Sequence, residues 1–190
     1  MKQILQIIDR LGEWIILSFL WILSSTLTLG VGVGVSFLAL ELTLWRPASD
    51  HQGYLVRNYM GHLKRWFKLR YILMTTLPLL GIGFSSVMLT FLLSQPPSLF
   101  ASVLILGQVL ISIYLASVFL QMPRVVIQTN TLPWTLALIA PLRLPMASLL
   151  YLISTILLAL TPIYVSFAII FIVVPMIVEL HIWIGKKVNH

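Results

Sequence analysis

Residues 71–123 read YILMTTLPLLGIGFSSVMLTFLLSQPPSLFASVLILGQVLISIYLASVFLQMP, with no Lys, Arg, Asp or Glu in the run. A hydrocarbon core about 30 Å thick is crossed by about 20 apolar residues of helix, so this run holds two crossings. Ser94-Gln95-Pro96-Pro97-Ser98 carries turn chemistry and divides them into 71–93 and 99–120. Inside a bilayer the backbone has no water to bond, and no alternating strand pattern is present, so the spans are helices.

The rest of the chain reads the same way outward from this run. Leu144 to Val178 is uncharged and divides at Thr161-Pro162 into crossings at 144–160 and 163–184. Trp14 to Leu40 is uncharged too, long for one crossing and short for two. Continued helically, it sets Trp14 and Trp45 about 46 Å apart, close to a bilayer with its headgroups, where Trp collects. One long tilted helix over 14–45 is the first reading; a hairpin bent at Gly30-Val31-Gly32-Val33-Gly34 is the second. The expected architecture is an all-α polytopic membrane helix bundle with about five transmembrane helices. A hairpin would make six segments and change the side of the N-terminus.

Composition agrees. The chain has 190 residues, 59% hydrophobic and 9% charged, where soluble domains carry about 25% charged residues. Its mean hydropathy is +1.03. With no cysteine, disulfides, thiolate nucleophiles and cysteine-bound metals are excluded. Asp9, Arg10 and Glu13 interrupt the first apolar stretch, so residues 1–13 read as an interfacial segment before a retained anchor. No stretch is long enough for a second, soluble domain.

Twelve Lys and Arg against five Asp and Glu leave a net charge of +7. In a soluble protein such an excess points to nucleic acid; here the positive-inside rule accounts for it. The segment 46–70 contains Arg46, Arg57, Lys64, Arg65, Lys68 and Arg70 against Asp50 alone, and is assigned to the cytoplasm. Ser94–Ser98 then lies outside, Arg124 and Arg143 inside, and Lys186 with Lys187 sets the C-terminus inside a bacterial cell membrane. On a helical wheel Leu55, Tyr59, Leu63, Trp66 and Phe67 share one face, and Arg57, Lys64, Arg65 and Lys68 the other. The pattern predicts a basic amphipathic helix lying in the interface, its cations available to anionic lipid headgroups or to a membrane or cytosolic partner.

The run Trp21-Ile22-Leu23-Ser24-Ser25, the glycine-rich turn and Ser36-Phe37-Leu38-Ala39-Leu40 resemble the opening of the bacterial YesL-like family. Gly53-Tyr54, Tyr59, Leu63-Lys64 and Phe67-Lys68 follow in that family's order. Phe119-Leu120-Gln121-Met122-Pro123-Arg124 and Arg143-Leu144-Pro145 are similar to its later segments. Leu27 and Gly30 depart from its pattern. The resemblance implies an integral membrane protein without an assigned reaction, associated with carbohydrate uptake.

Other residues carry weaker signals. Gly30-x-x-x-Gly34 and Gly81-x-x-x-Ser85 allow close helix approach, within the chain in preference to a homo-oligomer. Pro78 and Pro175 free the carbonyls of Met74 and Phe171 and predict kinks. Glu41 is an intramembrane or interfacial acid, expected to pair with Arg46 or another base rather than relay protons. Glu179 is the second such acid, and it points away from His181, so the two form no local metal pair. His51, His62 and His190 are isolated. Thr131-Leu132-Pro133-Trp134 opens a short interfacial helix ended by Pro141, flanked by Arg124 and Arg143, which are placed to hold an anionic headgroup or a partner carboxylate.

No catalytic set, phosphate loop, cofactor motif or metal cluster falls in an aqueous region, so no enzyme is expected. The functional expectation is an accessory or interaction protein tied to solute uptake. The alternative is a small-solute transporter or channel-like oligomer, resting on Glu41, Pro78, Pro175 and the glycine spacings.

Overall fold

The computed structural model describes residues 2–28, 30–45, 52–164 and 170–188. These form eight helices: α1 Lys2–Leu27, α2 Val33–Trp45, α3 Gln52–Trp66, α4 Leu69–Leu93, α5 Leu99–Thr129, α6 Trp134–Arg143, α7 Pro145–Tyr164 and α8 Ile170–Val188. No strand occurs among the described residues. The chain is all-helical. It groups into two compact units, one of Met1–Ile72 with Ile153–His190 and one of Leu73–Leu152.

In the first unit the long apolar stretch does not continue as one helix. Gly30 sits at φ +80°, a left-handed conformation that costs glycine little, and its N–H bonds Ser25 O at 2.9 Å. Thr28 Oγ1 accepts the N–H of Gly32 at 3.1 Å. On an unbroken helix Ser24 and Ser36 would stand about 18 Å apart; their hydroxyls are 3.0 Å apart. α2 therefore folds back along α1, as in the second of the two readings. Gly30 lies in the turn, outside any helix, and Gly34 is buried in the first turn of α2, so the two do not form one helical packing face.

α8 runs antiparallel to α1. Ser18 Oγ donates to Phe171 O at 2.7 Å, and Arg10 Nη2 meets Glu179 Oε1 at 2.5 Å. The shared core draws Leu17 from α1, Ala39 and Leu40 from α2, Leu55 and Tyr59 from α3, and Val178 and Ile182 from α8. α3 thus differs from the interfacial helix expected. Its apolar face is covered by protein, with Leu55, Tyr59 and Trp66 buried, and only Phe67, past its end, stays exposed. The helix stops at Trp66, where Lys68 N–H turns back to Trp66 O at 2.8 Å.

In the second unit α4 and α5 form an antiparallel pair. Ser98 caps α5 by accepting the N–H of Ala101 at 3.1 Å. Ser85 donates to Gln108 Oε1 at 3.0 Å, and a methyl on Gly81 would stand 2.6 Å from Leu115 Cδ1. Their outer faces are exposed apolar stripes at three- and four-residue spacing: Leu73, Leu77, Leu80, Phe84, Val87 and Phe91 on α4, and Leu99, Val103, Leu106, Leu110 and Ile113 on α5. Stripes of this extent exceed what a soluble monomer leaves open to water and suit a hydrocarbon surround. α5 does not end near Leu120 but continues through Pro123 to Asn130, whose φ of 57° closes it. α6 likewise runs through Pro141 to Arg143, each proline removing one backbone bond without stopping the helix. The Tyr114 hydroxyl donates to Leu138 O at 2.6 Å and ties α6 to α5.

Among the described residues two helices, α4 and α5, are long and apolar enough to cross a membrane, and α6 with Pro145–Leu158, bent by 92°, makes a third if counted as one span. That is fewer than the five expected from apolar runs. The turn at Gly30 leaves α2 at 13 residues, too short to cross a hydrocarbon core on its own. Thr161-Pro162 marks no break, since α7 extends to Tyr164.

Candidate functional site

The sequence-selected polar residues fall into separate places, and only some converge. On α3 and just beyond it, Arg57, Lys64, Arg65 and Lys68 are all exposed, while the opposite face is held in the core. Beneath them lies a hydroxyl cluster. Ser24 Oγ is 3.1 Å from Trp21 O, 3.0 Å from Ser36 Oγ and 2.7 Å from Tyr59 Oη. Ser24 has one proton for these three contacts, so at least one neighbouring hydroxyl donates to it. Burial pushes the Tyr59 phenol above its ordinary pKa, and the Ser24 and Ser36 hydroxyls pull it part of the way back. Beside this cluster an apolar groove of about 430 Å³ is lined by Leu27, Met60, Leu63 and Phe67, with Lys64 among its walls.

Glu41 lies in α2 and is 3% exposed. Its Oε2 has no hydrogen-bond partner among the described residues. Arg46, its expected partner, lies outside them, as do His51 and His190. Glu179 is held by neighbours: Arg10 makes the ion pair given above, and Trp14 Nε1 donates to Glu179 Oε1 at 3.0 Å. Arg10 also meets Glu13 at 3.4 Å, its side chain 49% exposed, so these surface pairs contribute at most about 1 kcal/mol. His181 turns elsewhere, its Nε2 3.0 Å from Thr155 Oγ1.

The second unit brings Arg124 and Arg143 together. Both line a pocket of about 80 Å³ between α5 and α6, with Gln121, Gln128 and Thr129. Arg124 is 4% exposed, and Arg143 at the end of α6 is exposed. The three α5 residues Gln121, Arg124 and Gln128 follow i, i+3, i+7 spacing and fall on one helical face. The two glutamines were not singled out from the sequence. That polar stripe in an apolar helix was the available signal, hidden by ending the crossing at Leu120.

Gly81 and Ser85 face α5 within the unit, through Leu115 and Gln108. Nothing in the sequence named Ser18, whose hydroxyl serves the Phe171 carbonyl that Pro175 leaves without an N–H. No family model, curated protein or solved structure matches this chain.

Proposed function

We propose that this chain is a membrane accessory or interaction protein whose working surface is the cationic face of α3. One observation carries the reading: Arg57, Lys64, Arg65 and Lys68 are exposed, while Leu55, Tyr59 and Trp66 are buried in the first unit's core. A basic segment that serves only as an anchor lays its apolar face into lipid. Here that face is spent on the protein itself, so the cations stand on a fixed support and suit an acidic partner as well as headgroups, each cation contributing about 1 kcal/mol near an anionic leaflet. The YesL-like resemblance extends the proposal to a role beside the uptake of carbohydrate or another solute, without a reaction of its own.

The proposal sets α3, the α5–α6 junction and the end of α8 on the cytoplasmic side of a bacterial cell membrane. The fold-back of α2 and the antiparallel pairing of α1 with α8 favour six membrane segments, some of them short, over five full crossings. The start of α1 is then cytoplasmic too.

Gly61 shares the basic face of α3 and has nothing within 4 Å of where a side chain would begin. A photoreactive residue placed there should give a discrete protein adduct on irradiation of cells. Lys64→Glu with Arg65→Glu should abolish it. Absence of an adduct, or one indifferent to charge reversal, refutes the reading.

Burial of Glu41 with an unpartnered carboxylate oxygen favours a second reading, a small-solute transporter, because acids at membrane depth are costly and tend to mark pathways. Flux in proteoliposomes that is lost in Glu41→Gln would support it; inert proteoliposomes would remove it.

A further inference from the structure

Beside the face held in the core, α3 presents a second apolar row. Val56, Met60 and Phe67 are exposed and Leu63 is half-buried. The Phe67 N–H bonds Leu63 O at 2.7 Å, which keeps Phe67 in helical register just past the helix end. The four stand at i, i+4, i+7 and i+11, within about 60° of one another on a helical wheel. This is the d–a–d–a seam of a helix that packs against another helix, and Arg57 and Lys64 then fall at e positions, where charge selects the partner. The g positions, Tyr59 and Trp66, are buried in the unit's own core. Met60, Leu63, Lys64 and Phe67 make one wall of the apolar groove, and Ser24, Leu27 and Thr28 of α1 and its end make the other.

The polar atoms of the groove narrow what can lie in it. The Thr28 hydroxyl donates to Ser24 O and Ser25 O and accepts the Gly32 N–H. The Ser24 hydroxyl is shared among Trp21 O, Ser36 and Tyr59. Lys64 remains, exposed and in no ion pair among the described residues. A sugar would meet apolar walls and hydroxyls already engaged, so the groove suits an apolar occupant with negative charge beside it. Arg57 lies on the same edge of α3, about 10.5 Å along the axis from Lys64. Two cations seven residues apart beside an apolar groove are matched by a helix with two carboxylates at the same interval along an apolar ridge. A second copy of this chain does not supply one, because no two of its five acidic residues are seven apart. An acyl chain could lie in the groove but has no counterpart to that interval.

We propose that the groove between α1 and α3 receives an acidic amphipathic helix of a second protein, its apolar ridge against Val56, Met60, Leu63 and Phe67 and two carboxylates, seven residues apart, against Arg57 and Lys64. This rests on the reading of α3 as a docking surface and adds what the cations alone do not specify, the helical form and the apolar ridge of the partner.

The full chain, in cells of its native host, carries a photoreactive phenylalanine analogue in place of Phe67 and, in a separate strain, the photoreactive residue at Gly61. After irradiation the Phe67 adduct is digested and the attached peptide sequenced. The expected peptide has apolar residues at three- and four-residue spacing and two acids seven apart. Met60→Asn, at an exposed position, sets an amide in the groove and leaves both cations. It should lower both adducts about tenfold, the scale of one lost interface anchor. Lys64→Glu should do the same, and exchanging one of the two partner acids for Lys should restore the yield. A Gly61 adduct without a Phe67 adduct, or one that Met60→Asn leaves unchanged, overturns the groove and its helix while the reading of α3 stands. Absence of both adducts removes both. Phospholipid attached at Phe67, a peptide without the paired acids, or a charge exchange that restores nothing also overturns the proposal.

Discussion

Pro175 has no N–H to give the carbonyl of Phe171, and the hydroxyl of Ser18, fully buried on a different helix, takes its place at 2.7 Å. Removing that hydroxyl strands a carbonyl away from water, which costs about 1–3 kcal/mol. Ser18→Ala should therefore lower thermal stability in detergent by that amount. In a Pro175→Ala background residue 175 regains its N–H, so the same Ser18→Ala change should cost only a few tenths of a kcal/mol, a coupling that a double-mutant cycle reads directly. Equal costs in the two backgrounds would show that Ser18 does not serve that carbonyl. The need for a donor at Phe171 was legible from Pro175 alone. Its identity was not, because the two residues are 153 apart in sequence and no local pattern joins them. Glu41 shows the same limit. Its chemistry stood out, but whether it meets water, lipid or protein depends on how α2 folds back.

Among elements, α1 and α2 make the clearest case, since one turn decides whether residues 14–45 span a bilayer or double back. Gly12 and Gly30 both have open space where a Cβ would be added, but only Gly30 holds a positive φ, +80°. The same substitution should thus act in opposite directions. Gly12→Ala, inside α1, should stabilise by about 0.5–1 kcal/mol, whereas Gly30→Ala should destabilise by about 1–2 kcal/mol, the cost of left-handed backbone for an L-residue. Thermal unfolding of the two variants checks the sign of each. The glycine run announced a bend without saying how tight, because glycine permits a turn and does not compel one. The two faces of α3 were legible for a firmer reason: helical periodicity sorts polar from apolar residues whatever covers them. It says nothing of the cover, and lipid and protein interior favour the same side chains. Hence Leu55 and Tyr59 were correctly grouped while their surroundings were not.

Across the whole molecule, hydropathy identified α4 and α5 because each holds more than 20 consecutive uncharged residues and is largely left exposed by the rest of the chain. Elsewhere it counted more full-length crossings than the described helices supply, since an apolar run measures length along the chain and not the breaks within it. The arginine pocket was half legible: Arg124 and Arg143 were set at one level by loop charge, but the glutamines that complete it needed α5 to continue past Pro123. The antiparallel pairing of α1 with α8 leads beyond packing. It brings Arg10 beside Glu179, so positions near the start of one helix and the end of the other share a level. The chain has no cysteine, which makes it a blank background for thiol labelling. Gln6→Cys and Lys187→Cys, each at an exposed site, should respond alike to an impermeant maleimide applied to intact cells, both shielded until the cells are opened. A reagent that reached one and spared the other would place the two ends in different compartments and return the chain to an odd number of passes.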